Sequence, residues 1–511
     1  MASKENPLRR FFRKTYVLWI LTVLVLGAWG SWAGPGYNPK PMPDAIIPRT
    51  ADTEINSLVE TSKVGRHSIR VSVHEVEMPN GKNIKVTLRE PLGVDGQRPG
   101  VVFLHGTGTD KHTAFSPHAQ WLASAGIVTA VPDKPLVTYS VTERDYIRLG
   151  EQYLAVANWL RDQASVYRAQ VGYYGESEGA LIAPISVSED PQAAFAVLVS
   201  DPAIPIRDQG ALAAVTYLRK IGGPPQLYAA AMRVISGALA DGQMFNYAKF
   251  NPSPYHQDMK VPVLMIYGTE DSSTPQIQGP LQLKEDLEKA GNDKLLVRYY
   301  EHSDHGLRIN GYISPVPYQD IADFINGLPS SVDQSPQIAG GQPRQDFTAP
   351  TFQTPRWFGS AQVMLIILVL GVVFTACGVA LSTGGYLYWR RSQDQPTRKV
   401  GAQLVRRTWL SGFLVLAMWA LLVGYLFAIL QIALNYEQNR LLVQGGWLVL
   451  QIFALGVVLT VVQLVKKWVE LAPRNSYVNV TLGMAVIGYA LLLFSIAYWG
   501  IFPSIVSVWG W

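Results

Sequence analysis

Cysteine is nearly missing from this 511-residue chain, and Cys377 is its single thiol. One thiol cannot close an internal disulfide or supply a thiolate metal cluster. Its place inside an apolar run makes it a small hydrophobe. Charge is missing locally. Five runs hold no Asp, Glu, Lys, Arg or His: Tyr16 to Ala33, and about 361–389, 408–434, 445–465 and 477–500. Ion and proton pathways through a bilayer use ionisable groups, so a pump or coupled transporter is not expected. Gln431, Gln451, Gln463 and Asn479 are the notable amides in these runs. The chain also lacks a P-loop, a dinucleotide fingerprint, an internal repeat and a basic-aromatic surface for nucleic acid. His112 and His118 have no matching ligand set, so neither a metal nor a cofactor is expected.

Each of the five runs is long enough to cross a bilayer core, which takes roughly 20 apolar residues as a helix. Residues 1–15 carry a net charge of about +4, "RRSQDQPTRKVGAQLVRR" (390–407) about +5, and "KKWVELAPR" (466–474) about +2. The whole chain is only +5, so everything else is about −6. Cytoplasmic segments collect Lys and Arg. An inside start and five spans put the three basic segments on one side. The expected layout is a cytoplasmic 1–15, a signal anchor at 16–33, an extracytoplasmic domain over 50–328, a flexible linker at 329–356 and a four-helix membrane domain at 361–511. Ser31-Trp32-Ala33 keeps a cleaved signal peptide as the alternative. The basic balance thus reflects membrane topology rather than a polyanionic partner.

The middle region has ordinary globular composition. Strand-like runs "NIKVTLREP" (83–91), "GVVFLHG" (100–106), "GIVTAVPD" (126–133), "QVGYYG" (170–175), "AFAVLVSDP" (194–202), "VPVLMIYG" (261–268) and "LLVRYYEH" (295–302) stand between helical patterns. Apolar strands alternating with helices predict an α/β fold whose mostly parallel sheet is covered on both faces. Sites on such sheets form beyond the carboxyl ends of the strands. Residues 206–257 interrupt the alternation where a lid would sit. The Pro-, Gln- and Ser-rich 329–356 reads as a tether.

"GYYGESEGA" (172–180) places Ser177 at a strand end with Gly175 and Gly179 two residues to either side. Small residues there let the backbone turn sharply and expose the hydroxyl above the sheet. A serine needs a base, and the base an orienting acid. Asp271 in "GTEDSSTP" and His305 in "SDHG" follow later strands in that order. His302 is the rival base and Asp201 the rival acid. An oxyanion needs donors. The backbone N–H of Glu178 and that of Thr107, in "HGTG" (105–108), are the candidates. The side chains of Glu176 and Glu178 read either as solvated charge or as a screen against anionic substrates.

"LHGTG" (104–108), "GESEG" (175–179), "GTED" (268–271) and "DHG" (304–306), in this order, resemble the α/β-hydrolase superfamily in its dienelactone-hydrolase-like and peptidase-like style. The resemblance covers about 70–328, half the chain, and implies a Ser-His-Asp hydrolase. The dienelactone pattern itself carries Cys where this chain has Ser177. Three functions remain open. The first is a membrane-tethered serine hydrolase cleaving a lipid or envelope acyl ester. The second is an acyltransferase that moves the acyl group to a sugar or lipid hydroxyl. The third is a scaffold whose helices 361–511 bind a membrane-protein partner.

Overall fold

The computed structural model describes residues 14–33, 40–135, 139–239, 245–349, 357–391, 394–434, 437–471 and 476–503. The chain divides into two units. One comprises residues 39–213 and 241–351, the other 1–38, 214–240 and 352–511. Helix α1 (Thr15–Ala33) belongs to the second.

The first unit is built on a nine-stranded sheet. Its strands are β1 (Ile69–Glu77), β2 (Asn83–Pro91), β3 (Arg98–Leu104), β4 (Val128–Pro132), β5 (Val166–Glu176), β6 (Ala193–Val199), β7 (Val263–Gly268), β8 (Leu295–Tyr300) and β11 (Ile338–Gly340). Strands β9 (Arg308–Ile309) and β10 (Tyr312–Ile313) form a separate small hairpin. The order is β1-β2-β4-β3-β5-β6-β7-β8-β11. Strands β1 and β2 run antiparallel to their neighbours, and every pairing from β4 to β11 is parallel. Successive side chains of a strand face opposite sides. Val102 and Leu104 therefore enter one core cluster with Tyr153, Val156, Ile182 and Leu287. Val101 and Phe103 enter another with Leu122, Tyr318 and Phe324. Helices α3 (Tyr146–Arg161), α4 (Glu178–Glu189) and α7 (Gln278–Lys289) supply the first face; α2 (Ser116–Ser124) and α8 (Val316–Gly327) supply the second. Asp145 starts α3 by accepting from the Arg148 N–H at 3.1 Å, a side-chain cap on an otherwise unpaired donor. The fold is the α/β-hydrolase fold.

Two readings are corrected here. "IRVSVHEVE" (69–77) is an unanticipated edge strand; its alternating exposure suits a strand with one wet face. The segment 329–356 is not simply a tether. Residues 330–333 form a helical turn and 338–340 add the last strand beside β8. Phe347 bridges to Pro41. Backbone pairing with β8, in the register Ile338 to Val297, outweighs a composition poor in strand formers. Residues 350–356 lie outside the described residues.

Among the described residues, five helices are long and apolar enough to cross a membrane: α1, α9 (Ala361–Trp389), α10 (Gln395–Leu434), α11 (Gly446–Leu471) and α12 (Ser476–Tyr498). Between α1 and α9 in chain order fall α5 (Ile206–Lys220) and α6 (Pro225–Leu239). Small residues form the seam between α9 and α12. A Cβ on Gly378 would lie 2.4 Å from the Ala485 N, and one on Gly488 2.5 Å from the Thr375 N. Between membrane helices such close backbone approach replaces the hydrophobic drive that water supplies elsewhere. Helix α1 packs into the same unit. Trp19 donates to the Leu455 carbonyl at 2.9 Å and Trp29 to the Phe494 carbonyl at 3.1 Å. Helix α10 begins at Gln395, well before the expected 408. Pro396 sits in its first turn, where proline is tolerated, and Gln, Leu and Arg that follow are good helix formers. At 1.5 Å per residue it is about 60 Å long, twice a bilayer core, so its basic first third projects beyond the apolar zone.

The insertion expected over 206–257 is divided between the units. Residues 214–240 cluster with the membrane helices. Tyr217 donates to the Glu437 carbonyl at 2.8 Å, Gln444 donates to the Gly222 carbonyl at 2.7 Å, and Arg233 donates to the Tyr498 carbonyl. Leu218, Ile221, Leu227 and Ala230 are buried in one cluster with Tyr425, Trp447 and Ile496.

Candidate active site

The site grows from a bend too tight for side chains. A Cβ on Gly175 would stand 2.3 Å from the Gly179 carbonyl oxygen, and a Cβ on Gly179 would stand 2.2 Å from that of Leu104. Neither position admits another residue without backbone movement. Between them Ser177 takes φ 57° and ψ −117°, a conformation costly for a non-glycine residue and held only where its surroundings over-determine it. Its N–H donates to the Val199 carbonyl at 2.9 Å, and its own carbonyl accepts from Ala180 at 2.9 Å as α4 begins. Ser177 thus ends β5 and starts α4 at the carboxyl edge of the sheet. Glu178 is the first residue of α4, so its N–H has no intrahelical acceptor.

Asp271 and His305 lie beyond β7 and β8. His305 Nδ1 is 2.9 Å from Asp271 Oδ2. Asp271 Oδ1 also accepts from the Ser273 N–H at 2.7 Å, and Oδ2 accepts from the Thr274 hydroxyl. Burial works against the Asp271 charge, but the facing imidazole and these hydrogen bonds outweigh it and hold its pKa below the usual range. Burial likewise pulls the His305 pKa down. The charge and hydrogen bond of Asp271, then the charges of Glu176 and Asp304, carry it above its ordinary 6.5. The structure therefore brings together Asp271 and His305. His302 stands elsewhere, 77% exposed and 3.5 Å from Glu270. Asp201 caps the Ala203 N–H at 3.0 Å, and burial pushes its carboxyl up to about 6.

The loop carrying Thr107 backs onto the elbow: a Cβ on Gly106 would lie 3.1 Å from the Glu176 carbonyl oxygen and 3.5 Å from Ser177 Cβ. Its anchor is His105, fully buried, with Nε2 2.6 Å from the Pro132 carbonyl and Nδ1 3.1 Å from the Thr109 hydroxyl. Burial takes its pKa down to about 4. It is thus neutral at pH 7, with a proton on Nε2 to donate to Pro132 and Nδ1 free to accept.

Glu178 is not a solvated charge. Its side chain is 3% exposed and Oε2 accepts from Lys134 Nζ at 2.6 Å and from the Tyr139 hydroxyl at 2.6 Å. Oε1 accepts from Arg144 and, at 3.0 Å, from the Tyr146 hydroxyl. Burial opposes this carboxylate, but the Lys134 and Arg144 cations prevail and hold it ionised. A charge so matched is no screen against anionic substrates. Lys134, Tyr139, Arg144 and Tyr146 were not legible as site residues: they are distant in sequence and carry no motif. Their one signal is a Lys directly after the strand 126–133. His118, whose ring lies 4.9 Å from that of Tyr318, is an aromatic-core histidine, and His112 pairs with the Thr87 hydroxyl at 2.7 Å.

Residues 113–328 match the sequence model of the prolyl oligopeptidase family. No curated protein matches the chain. Solved structures similar to it include an esterase of Pyrococcus furiosus, 18% identical, covering 55% of this chain and 98% of its own, with a TM-score of 0.37. An acylaminoacyl peptidase of Pyrococcus horikoshii is 17% identical over 51% of this chain and 42% of its own, at 0.38. A dipeptidyl peptidase 4 of Porphyromonas gingivalis is 13% identical over 51% of this chain and 36% of its own, at 0.37. The folded middle of this chain is an α/β-hydrolase, and the enzyme class is serine hydrolase.

The raised His305 pKa sets a pH dependence. If His305 serves Ser177 as a general base it must work neutral, and the rate of Ser177 labelling by a fluorophosphonate should then rise as pH climbs through a value above 6.5. Glu176→Gln removes a charge that favours the imidazolium, so this acid limb should move to lower pH. A limb that stays put or moves up would refute the assigned coupling.

Proposed function

We propose that this chain is a membrane-anchored serine hydrolase that opens a lipid or cell-envelope acyl ester outside the cytoplasm. The observation that carries the reading is a strained serine at a strand–helix elbow, followed on two later parallel strand ends by a carboxylate–imidazole pair at 2.9 Å. Ser177 Oγ attacks the ester carbon while His305 Nε2 takes the hydroxyl proton. Asp271 holds the Nδ1 proton and faces the imidazolium that forms. The developing oxyanion meets the N–H groups of Thr107 and Glu178. Collapse breaks the ester C–O bond, and the imidazolium gives its proton to the departing alcohol. Water, deprotonated by His305, then releases the acid and restores Ser177. The match over 113–328 favours one second reading, a peptide bond opened by the same steps.

Membrane placement supports the ester reading. Residues 214–240 pack on 437–444 and on the end of α12, the helix ends opposite the basic segments 390–407 and 466–474. That agrees with an insertion outside the cytoplasm. The bonds of Trp19 and Trp29 to α11 and α12 support retention of α1 as an anchor rather than its cleavage.

A fluorophosphonate should label the detergent-solubilised protein at Ser177, and Ser177→Ala should abolish labelling. His305→Ala should slow it by about 10⁴-fold or more, while His302→Ala leaves it unchanged. Labelling that survives Ser177→Ala would place the nucleophile elsewhere. Comparing p-nitrophenyl esters with peptide p-nitroanilides separates the two substrate classes. Turnover that waits for an added hydroxyl acceptor would mark an acyltransferase.

Reporter fusions near residue 340 and at the C-terminus should be extracytoplasmic, and fusions within 390–407 and 466–474 cytoplasmic. Intact mass should show a chain that retains α1. A cytoplasmic reporter at 340 would overturn the envelope substrate, and a chain starting at Gly34 would overturn the anchor.

A further inference from the structure

We propose that the basic end of the membrane bundle binds the phosphate of an anionic phospholipid. A cavity of about 610 Å³ opens there between α1, α10 and α11. Arg407, Lys466 and Lys467 line it against a single carboxylate, Glu470, so its walls carry a net charge of +2. Lys466 turns inward to donate to the Thr15 hydroxyl at 2.9 Å and keeps Glu470 at 3.7 Å. Arg407 spends one donor on Gln463 at 3.3 Å and has four more. Lys467 makes no hydrogen bond or ion pair among the described residues. Donors for phosphate oxygens therefore outnumber the acceptors present.

The rest of the wall is apolar. Trp19 has committed its N–H to the Leu455 carbonyl and offers the cavity only its ring, beside Tyr16 and Leu459. Cations above and hydrocarbon below, at the end of spanning helices, match a headgroup phosphate whose acyl chains descend along the bundle. Basic pockets between helices at this level are where anionic headgroups bind. A free phosphate would use the cations and leave the apolar wall wet.

The test is thermal unfolding of the delipidated full-length protein in micelles doped with phosphatidylglycerol, with phosphatidylcholine, or with glycerol 3-phosphate in the buffer. Phosphatidylglycerol alone should raise Tm saturably by several degrees, and the double variant Arg407→Gln, Lys467→Gln should lose that rise while keeping Ser177 labelling. An equal rise with phosphatidylcholine, an equal rise with glycerol 3-phosphate, or a rise that survives the double variant would each overturn the proposal. If the double variant does not fold, native mass spectrometry of the wild type decides. Preferential retention of phosphatidylglycerol supports the site, and indifference between the two lipids refutes it.

A different observation carries a second inference, which rests on the proposed triad. We infer that Lys134 is a positioning residue for the oxyanion site. Its ammonium, on a side chain 1% exposed, donates to the Gly106 carbonyl at 3.0 Å as well as to Glu178. The Gly106 carbonyl and the Thr107 N–H belong to one trans peptide unit and point in opposite directions. Holding the oxygen on Lys134 therefore aims the Thr107 N–H away from it and resists a peptide flip. Glu178 closes the arrangement: its N–H is the other candidate donor and its carboxylate fixes Lys134.

Lys134→Met should lower kcat by up to about 100-fold, the scale of losing one oxyanion donor, with KM within about twofold and a parallel fall in the fluorophosphonate labelling rate. A merely structural role would lower Tm without this split. Glu178→Gln, which loosens Lys134 without removing it, should act in the same direction and serves if Lys134→Met does not fold. An unchanged kcat in a folded Lys134→Met protein would overturn the inference. Failure of the wild type itself to label at Ser177 would instead sink the triad, and this role with it.

Discussion

Two contacts between backbones, at Gly175 against Gly179 and at Gly179 against Leu104, set the geometry on which the active end of this protein depends. They are closer than any Cβ allows. Because β5 must turn within them, Ser177 has no room for an ordinary conformation and is driven to φ 57°. The same turn starts α4, leaves the Glu178 N–H without an intrahelical acceptor, and brings the 105–108 loop against the elbow. Ser177, the first N–H of α4 and the neighbouring loop thus take their places from a single steric constraint.

Charge completes what sterics begin. Two carboxylates, those of Asp271 and Glu178, are buried within the site, and burying an ion is costly unless it is paired and fully hydrogen-bonded. Each is. Asp271 spreads its acceptance over an imidazole, a hydroxyl and a backbone N–H. Glu178 takes two cations and two phenols. The difference lies in what the partners can do. Lys134 and Arg144 hold Glu178 by ion pairs on both of its oxygens, whereas Asp271 faces an imidazole, the one partner among these that is built to take up and release a proton.

Much of this was legible from residue order alone. The parallel sheet, the tight bend at Ser177 and the loops carrying Asp271 and His305 after β7 and β8 sit where periodicity and spacing put them, because apolar strands and glycine pairs are local signals. What escaped depends on distant partners. Nothing near Lys134 announces a partner 44 residues on. Ile338–Gly340 is too short to read as a strand until β8 offers it an edge. Helix α10 runs back from the apolar run at 408–434 into the basic segment 390–407, because Arg and Lys are good helix formers and charge alone does not end a helix. His305 and His302 stand three residues apart, and the structure faces them to different carboxylates, Asp271 and Glu270, a difference of side-chain direction that sequence does not carry.

The insertion shows the same limit from the membrane side. Its helical pattern suggested only packing or a lid. In the structure, Arg233 of α6 is buried, with its guanidinium 5.3 Å from the Tyr498 ring centre and a hydrogen bond to the Tyr498 carbonyl. An arginine there needs both. The carbonyls at a helix end lack intrahelical donors and carry the negative end of the dipole, and the ring face adds a cation–π contact. Helix α6 thus meets α12 where α12 most needs a cation. Tyr217 meanwhile donates to the Glu437 carbonyl, and Gln444 donates back to the Gly222 carbonyl of the insertion. Several polar bonds at the non-basic ends, rather than apolar contact alone, hold residues 214–240 to the spanning helices. A single tethering helix would supply neither α12 nor the 437–444 connection, so this docking gives a structural use for spans beyond the first.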